Sequence, residues 1–211
     1  MSPASSSSAG EFDLAYAAEQ LRRSQHPMRR IVKGFYHRNV VRHARGPTID
    51  FGCGAGQMLE RLPAGSVGLE LNPHLIKALR ERHLSVVEAR GDLTDFELKP
   101  FQEGVFRSLI ISHVLEHLPD PAEALAVMFR ACQRLGITRV IAVVPGEKGY
   151  ASDRTHKTFI DKAYLDTRLP QVLEGFSRTH LSYYPGPWEW VGRYYVFHEL
   201  QFIFDFVGPQ R

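Results

Sequence analysis

The chain has 211 residues, of which 44% are hydrophobic and 23% charged, and its formal net charge is +3. These values are typical of one soluble globular domain with a full core, and the charge is too small to indicate a partner. The longest apolar runs, such as residues 140–144, are far shorter than the ~20 residues of a membrane span. We therefore expect no membrane partner.

The two cysteines, Cys53 and Cys132, fall in a predicted loop and a predicted helix. We expect separate thiols, which favours a reducing, cytoplasmic location. No spacing of cysteine and histidine is typical of a zinc site, so no metal is predicted.

The N-terminal region divides into a tail and a helical segment. Residues 1–11 are rich in serine and alanine, lack the charged start of a signal peptide, and are predicted to be disordered. Apolar residues at helical spacing predict one helix from Leu14 to Leu21 and a second after Pro27. Between residues 20 and 49 there is no acid, and the eight basic residues are Arg22, Arg23, Arg29, Arg30, Lys33, Arg38, Arg42 and Arg45. We favour a solvated helix face here, and the alternative is a surface for an anionic substrate or RNA.

From Thr48 onward, apolar strands alternate with helices, which predicts a parallel sheet covered on both faces. Strands are predicted at 47–51, 66–70, 85–88, 107–111 and 139–144, and helices near 55–62, 73–82, 121–134 and 158–168. The C-terminal region predicts a hairpin, because residues 176–184 form a strand pattern and residues 200–206 alternate with period two.

The most informative segment is Asp50–Gly56, Asp-Phe-Gly-Cys-Gly-Ala-Gly, which lies between a predicted strand and a predicted helix. Its glycines permit positive φ and a close approach of the backbone to a ligand. Free backbone N–H groups and the start of a helix would stabilise an anionic or zwitterionic ligand. A dinucleotide fingerprint needs a third glycine where Gln57 or Leu59 stands, which counts against a nicotinamide dehydrogenase.

This segment resembles motif I of the class I S-adenosylmethionine (SAM) methyltransferases, and residues 112–120, Ser-His-Val-Leu-Glu-His-Leu-Pro-Asp, resemble a segment of their type 11 group. The resemblance covers residues 47 to about 145. It implies an α/β, doubly wound, Rossmann-like seven-stranded sheet with its last strand antiparallel, helices on both faces and an N-terminal helical lid. SAM is the implied cofactor and S-adenosylhomocysteine the product. One departure is Phe106-Arg107, where the family usually has Phe-Asp.

The resemblance also implies the cofactor-binding residues. Glu70, 18 residues after Gly52, is expected to accept hydrogen bonds from the ribose, and Asp92 from the adenine amino group, with Asp95 as its rival. The full expected set is Asp50, Gly52, Cys53, Gly54, Gly56, Glu70, Leu71, Asp92, Leu93, Ser112, His113 and Val114.

Two histidines, His117 and His156, are the catalytic candidates, because an imidazole at the mouth of the cleft could take a proton from the acceptor. Each could equally be structural, and methyl transfer does not demand a base, since SAM is already activated and alignment supplies much of the acceleration. Arg154 and Lys157 could hold an anionic acceptor.

The acceptor is the least determined feature. Aromatic residues crowd the loop between the last two strands and suit a flat acceptor, a packed hairpin or a dimer contact; they are Tyr183, Tyr184, Trp188, Trp190, Tyr194 and Tyr195. The Asn/Asp-Pro-Pro-aromatic run of adenine and glutamine methyltransferases is absent, as is the cysteine pair for cytosine C5 chemistry.

We therefore expect a SAM-dependent methyltransferase acting on a small molecule, as a monomer or homodimer. The alternatives are an RNA or tRNA methyltransferase that uses residues 22–45 and a SAM-binding protein without catalysis. The predicted single domain spans 12–211, with a helical cap at 12–46, a cofactor-binding core at 47–145 and an acceptor-side region at 146–211.

Overall fold

The fold is built on one mixed β-sheet with helices on its faces, in a computed structural model that describes residues 18, 20–22, 27–91, 93–169 and 172–208. The strands are β1 Thr48–Phe51, β2 Val67–Glu70, β3 Val86–Glu88, β4 Ser108–Ser112, β5 Arg139–Pro145, β6 Val172–Leu173, β7 Phe176–Tyr184 and β8 Glu199–Phe206. The main helices are α1 Pro27–Val41, α2 Pro73–Glu81, α3 Pro121–Leu135, α4 Glu147–Ala151 and α5 Lys162–Arg168.

The strand order is β3-β2-β1-β4-β5-β8-β7-β6. Strands β1 to β5 pair in parallel, whereas β8 runs antiparallel between β5 and β7. The predicted doubly wound sheet with an antiparallel last strand is confirmed. It carries an eighth, two-residue strand, β6, at its edge. The order reverses between β1 and β4, and in open α/β sheets ligands bind beyond the carboxyl ends of the strands at this point.

The predicted strands agree with the observed ones to within one residue at each end, but one helix prediction was wrong. Residues 52–58 form turns, and only a single 3₁₀ turn, Leu59–Arg61, follows them. The reason lies in the backbone of Gly52, Gly54 and Gly56, which have φ of 70°, 54° and 74° and so cannot continue a right-handed helix.

Other helix boundaries moved for local reasons. The helix predicted to begin at residue 158 begins at Lys162, where the Asp161 side chain accepts a hydrogen bond from Tyr164 N at 2.7 Å and caps it. Helix α4 was not predicted. The second N-terminal helix is present as α1, while most of the first, from Leu14 to Leu21, lies outside the described residues.

The larger core lies between the sheet and α3, whose buried face includes Leu125, Met128 and Phe129. The Phe129 ring stacks on Phe176 at 4.8 Å and packs against Phe204 at 5.0 Å. Both cysteines are buried and free. Among the described helices, none has the length and apolar character needed to cross a membrane.

Helix α1 is attached to the C-terminal strands by polar and aromatic contacts. Asn39 Nδ2 donates to Gln201 Oε1 at 3.0 Å, and the buried Tyr36 packs edge-on against Tyr184 at 4.7 Å. Phe35, by contrast, is 60% exposed. This attachment brings the inner face of α1 over β8.

The Phe129→Ala variant should be about 3–5 kcal/mol less stable to unfolding than the parent, because it leaves a cavity beside the buried rings of Phe176 and Phe204. The exposed Phe35→Ala is the matched control and should change stability by less than about 0.5 kcal/mol. Urea unfolding followed by tryptophan fluorescence measures both. Similar losses for the two variants would contradict this assignment of the core.

Candidate functional site

The glycine-rich turn is closed by its own hydrogen bonds. Gly52 N and Cys53 N donate to Leu69 O at 2.8 and 3.1 Å, and Gly56 N donates to Cys53 O at 2.9 Å. Gly54 N donates to Glu70 Oε2 at 2.7 Å. The expectation that these N–H groups and a helix end wait for an anionic ligand is therefore wrong, because the amides have protein acceptors and no α-helix begins here.

The three glycines serve different purposes. A Cβ on Gly52 would lie 2.6 Å from Val114 Cγ2, and one on Gly56 would lie 2.3 Å from Leu79 Cδ2. These two glycines allow close packing within the protein. A Cβ on Gly54 would meet nothing within 4 Å. Gly54 lines a cavity, so its missing side chain leaves room for a ligand.

Glu70 holds the turn against the end of β2. Its carboxylate accepts from Gly54 N, and also from Leu71 N and Asn72 N at 2.9 Å each. Burial raises the pKa of Glu70, and the three amide hydrogen bonds oppose that shift. A carboxylate offers about four acceptor positions, so one remains for a ribose hydroxyl, and that role stays a prediction.

Asp50, at the end of β1, is in the opposite situation. Its side chain is 2% exposed, and its Oδ2 has no hydrogen-bond partner among the described residues. Burial, and then the neighbouring Glu70 charge, raise the pKa of Asp50 to about 7. A buried, unpartnered carboxylate is costly, and Asp50 lines the same cavity as Gly54. The arrangement suits a cationic group on a ligand.

The cavity has a volume of about 380 Å³, within the usual range for small-molecule sites. It extends from the glycine-rich turn to the carboxyl ends of β4 and β5. Of the predicted site residues, those that line it are Asp50, Cys53, Gly54, Ser112, His113 and His156. Gly52, Gly56, Glu70, Leu71, Val114 and His117 are not among its lining residues.

The adenine side of the site is only partly described. Asp92 lies outside the described residues, and Leu93 begins a 3₁₀ turn that runs to Glu97. Asp95 is buried, and its carboxylate accepts from Arg90 N at 2.9 Å and Gly91 N at 2.7 Å. Asp95 is therefore committed to holding its own loop, which weakens its claim as the adenine partner.

A charged chain crosses the cavity from α1 to the end of β4. Lys33 Nζ lies 3.3 Å from Glu199 Oε1, and His113 Nε2 lies 3.0 Å from the same oxygen. His113 Nδ1 lies 3.3 Å from Glu116 Oε1. Burial alone would lower the pKa of His113, but its contacts with Glu116 and Glu199 outweigh burial and raise it to about 9. His113 is thus a cation at neutral pH.

Glu199 is an anion for the complementary reason. Burial would raise its pKa, but Lys33 and His113 outweigh burial and hold it at about 2. His37 also lines the cavity, and burial lowers its pKa to about 4, so it is neutral. The positive charge that faces the cavity from this side therefore belongs to Lys33 and His113.

Sequence reasoning missed Lys33, Glu116 and Glu199 as site residues. The signal for Glu116 was its place in the segment after β4. Glu199 could have been found only from the pairing of β8 with β5, which sets it opposite Pro145. Phe35 is exposed, and Lys33 and His37 occupy the cavity side of α1.

His117 and His156 are brought together as a pair, with ring centroids 4.7 Å apart. His156 Nδ1 lies 2.8 Å from Tyr150 O, and His117 Nδ1 lies 3.0 Å from Thr155 Oγ1. Burial lowers the pKa of His117. Only His156 lines the cavity. Arg154 and Lys157 are exposed and do not line it, so nothing in their placement supports a hold on an anionic acceptor.

The aromatic loop borders a second cavity, of about 560 Å³, and only its Val196 and Phe197 end lines the first. Tyr183, Trp188 and Trp190 line the second cavity, and both tryptophans are largely exposed. Tyr184 instead packs on α1. The loop therefore forms a wall beside α4 and α5, on the far side of Pro145 from the glycine-rich turn.

Part of the basic stretch is neutralised within the protein. Besides Lys33, Arg45 Nη1 lies 3.3 Å from Asp205 Oδ1. Arg38 and Arg42 are exposed. Among the basic residues whose side chains the structure describes, Lys33 and Arg45 have acidic partners on β8 and Arg38 and Arg42 are exposed, which favours the solvated-face interpretation for this part of the stretch.

Part of the chain matches a known protein family. Residues 49–140 match the family model for a methyltransferase domain. Over this range the chain is similar to that family. This range contains β1 to β4 with the glycine-rich turn, Glu70 and the segment after β4. The match agrees with the predicted family and cofactor, and the sheet topology confirms the predicted Rossmann-like sheet.

Curated relatives include a ubiquinone biosynthesis O-methyltransferase of Xanthomonas oryzae pv. oryzae, 32% identical over 134 residues, which cover 58% of this chain and 52% of that protein. The protein of the same description from Methylococcus capsulatus is 33% identical over 92 residues, 41% of this chain and 37% of that one. The chain thus spans about half the length, or less, of these relatives.

Solved structures share the fold at low identity. A SAM-dependent methyltransferase from Archaeoglobus fulgidus superposes with a TM-score of 0.62 and 20% identity, covering 92% of this chain and 100% of that one. The methyltransferase in complex with the Haloferax volcanii Trm112 activator gives 0.64 and 16%, covering 92% and 97%. These likenesses extend to the C-terminal strands, beyond the family match.

Replacing Asp50 with asparagine should stabilise the ligand-free protein, and more so at pH 8 than at pH 5. The pKa of Asp50 in the folded protein, about 7, is above its ordinary 3.8. Between these values the folded state binds more protons than the unfolded chain, so stability falls as pH rises. At about 1.4 kcal/mol per pKa unit, removing the charge should contribute roughly 1–4 kcal/mol at pH 8. Urea unfolding at both pH values measures the difference. A variant less stable than the parent at pH 8 would contradict the claim that the buried Asp50 charge destabilises the folded protein.

Proposed function

We propose that this chain transfers the methyl group of SAM to an oxygen atom of a small-molecule acceptor. The observation that carries the proposal is the buried, unpartnered Asp50 carboxylate beside the open space at Gly54. The O-methyltransferase relatives support the choice of oxygen. Because they are matched over only about half their length, the acceptor is proposed as a class and not as their substrate.

The charges of the cavity fit the zwitterionic end of SAM. The methionyl amino group is a cation that would satisfy Asp50, and a bound cation returns the pKa of a carboxyl towards its ordinary value. The methionyl carboxylate suits the opposite side, where Lys33 and His113 carry positive charge. The adenosine end then extends towards Glu70 and the loop before Leu93.

The acceptor approaches from the side of His156, Asp153 and Phe197, which line the rest of the cavity. Its oxygen attacks the methyl carbon, a C–O bond forms as the S–CH3 bond breaks, and the electron pair of that bond returns to sulfur. His156 Nδ1 faces a carbonyl oxygen, which only accepts, so Nδ1 carries the proton and Nε2 is free to take the acceptor's proton. His117 lies behind His156 as its neighbour in the wall.

Two measurements test the proposal. Titration calorimetry with S-adenosylhomocysteine should show binding to the folded chain, and incubation with SAM and a panel of phenols and catechols should give a product heavier by one methyl group. Binding without turnover against every acceptor would favour the non-catalytic SAM-binding alternative. Methylation of RNA but not of small molecules, with binding that weakens steeply with salt, would favour the RNA alternative.

Gly54→Ala should weaken binding of S-adenosylhomocysteine about tenfold or more, because each 1.4 kcal/mol of lost contact is a factor of ten and the new methyl group enters the ligand space. Gly104→Ala is the matched control, since Gly104 also has positive φ and open space around it but lies in the loop before β4. Both variants should lose similar stability, about 1–2 kcal/mol, from the left-handed backbone. Equal binding by the two variants would place the ligand elsewhere.

A further inference from the structure

One buried carboxylate close to the cavity is not used by the proposed reaction. Glu116 is 1% exposed, and neither of its carboxylate oxygens has a hydrogen-bond partner among the described residues. The nearest groups in ion-pair range are His113 Nδ1 at 3.3 Å and His156 Nε2 at 3.9 Å from Oε1. A carboxylate in such a place is costly unless something coordinates it.

Glu116 is accompanied by two imidazoles. One oxygen of Glu116 and one ring nitrogen each of His117 and His156 lie within 4.8 Å of one another. His156 is distant in sequence from the other two residues and lies in the loop after α4. Lys157 N, in the same loop, donates to Glu116 O at 2.7 Å and holds the loop beside Glu116. The sequence spacing predicts no metal, yet the fold assembles three groups that are all metal-ligand types.

Both imidazoles are oriented by a hydrogen bond at Nδ1, as metal-binding histidines are. His156 Nδ1 donates to Tyr150 O at 2.8 Å. Thr155 Oγ1 donates to Asp153 Oδ1 at 2.7 Å and is therefore an acceptor towards His117 Nδ1, 3.0 Å away. In each ring the proton is on Nδ1, which leaves the lone pair on Nε2.

We propose that Glu116, His117 and His156 bind a divalent transition-metal ion of the Zn²⁺ type. Two imidazoles and one carboxylate favour such an ion over Mg²⁺, which prefers oxygen ligands. Ligand atoms about 2.0–2.1 Å from a tetrahedral ion lie roughly 3.4 Å apart. His156 Nε2 and Glu116 Oε1 are 3.9 Å apart and all three ligand atoms lie within 4.8 Å of one another, so binding needs a closure of up to about 1.4 Å by side-chain rotation.

Three protein ligands leave one position open, as in catalytic zinc sites. His156 lines the cavity, so the open position lies on the acceptor side. This step rests on the proposed function: the acceptor oxygen occupies the open position, and the ion lowers the pKa of its hydroxyl. With the ion bound, His156 Nε2 coordinates the metal, and the proton of the acceptor hydroxyl goes to solvent instead of to this nitrogen.

The test is calorimetric titration of Zn²⁺, and separately of Mg²⁺, into the chelator-treated full chain. We expect one Zn²⁺ per chain and no comparable heat from Mg²⁺. Because even indirect partners of a metal contribute 10–100-fold to affinity, His117→Ala, His156→Ala and Glu116→Gln should each weaken Zn²⁺ binding by about 100-fold or more. His74→Ala, which removes an exposed histidine of α2, is the matched control and should bind like the parent.

Folding of every variant is checked by its binding of S-adenosylhomocysteine, which uses the other side of the cavity. Variants that bind this nucleoside but have lost Zn²⁺ support the site. A parent chain that binds the nucleoside and no Zn²⁺, or variants that bind Zn²⁺ as tightly as the His74 control, overturn it. A parent chain that binds Zn²⁺ at these residues but does not bind the nucleoside would support the metal site and contradict the proposed function.

Discussion

The burial of two carboxylates at the ends of neighbouring strands is the constraint on which the site depends. Glu70 and Asp50 end or nearly end β2 and β1, and both are withdrawn from water. Glu70 is satisfied by three backbone amides, one of them from Gly54, so its charge fixes the shape of the glycine-rich turn. Asp50 Oδ2 has no donor among the residues that the structure describes, and the nearby Glu70 charge makes ionisation of Asp50 harder still. One acid therefore builds the turn and the other is left for the ligand. The folded chain without its ligand keeps a destabilising group where a cation is to bind, which is a common exchange of stability for function.

The opposite wall is organised by an ion-pair chain that spans elements far apart in the sequence. Glu199 begins β8, and it can face Lys33 of α1 and His113 only because β8 inserts next to β5. This contact ties α1 to the sheet together with the Asn39 and Tyr36 contacts. Lys33 and His113 face a cavity that also contains Asp50, but Glu199 lines it too and offsets part of their positive charge. The position of α1 contributes the Lys33 ammonium to the cavity even though the outer face of this helix is exposed.

The sheet could be predicted from the sequence because buried parallel strands read as short apolar runs between turn signals. The cofactor segment Asp50–Gly56 could be predicted because its glycines are needed for local reasons. The prediction of a helix over 55–62 was wrong because of those same glycines. The sequence indicated that they permit positive φ, and a backbone with positive φ cannot continue a right-handed helix. The hydrogen bonds of the glycine-rich turn could not be predicted from its local sequence, because their acceptors, Leu69 O and the Glu70 carboxylate, belong to another strand. Glu199 and Lys33 belong to no local motif, and only the long-range pairing of β8 with β5 brings them to the site.

Glu116 shows why charge balance and hydrogen bonding have to be considered separately in such a cluster. In charge, the two carboxylates Glu116 and Glu199 are matched by Lys33 and His113, so the group is neutral without any additional ion. In hydrogen bonding it is not balanced, because His113 directs its short contact at Glu199 and leaves Glu116 at 3.3 Å without a bond of acceptable geometry. Burial makes an ordinary carboxylate expensive unless most of its lone pairs are used. The imidazoles of His117 and His156 lie beside Glu116, but their Nδ1 protons are already donated to oxygen acceptors. One oxygen of Glu116 and one ring nitrogen of each imidazole lie within 4.8 Å of one another, and a cation that all three groups coordinate would stabilise them together.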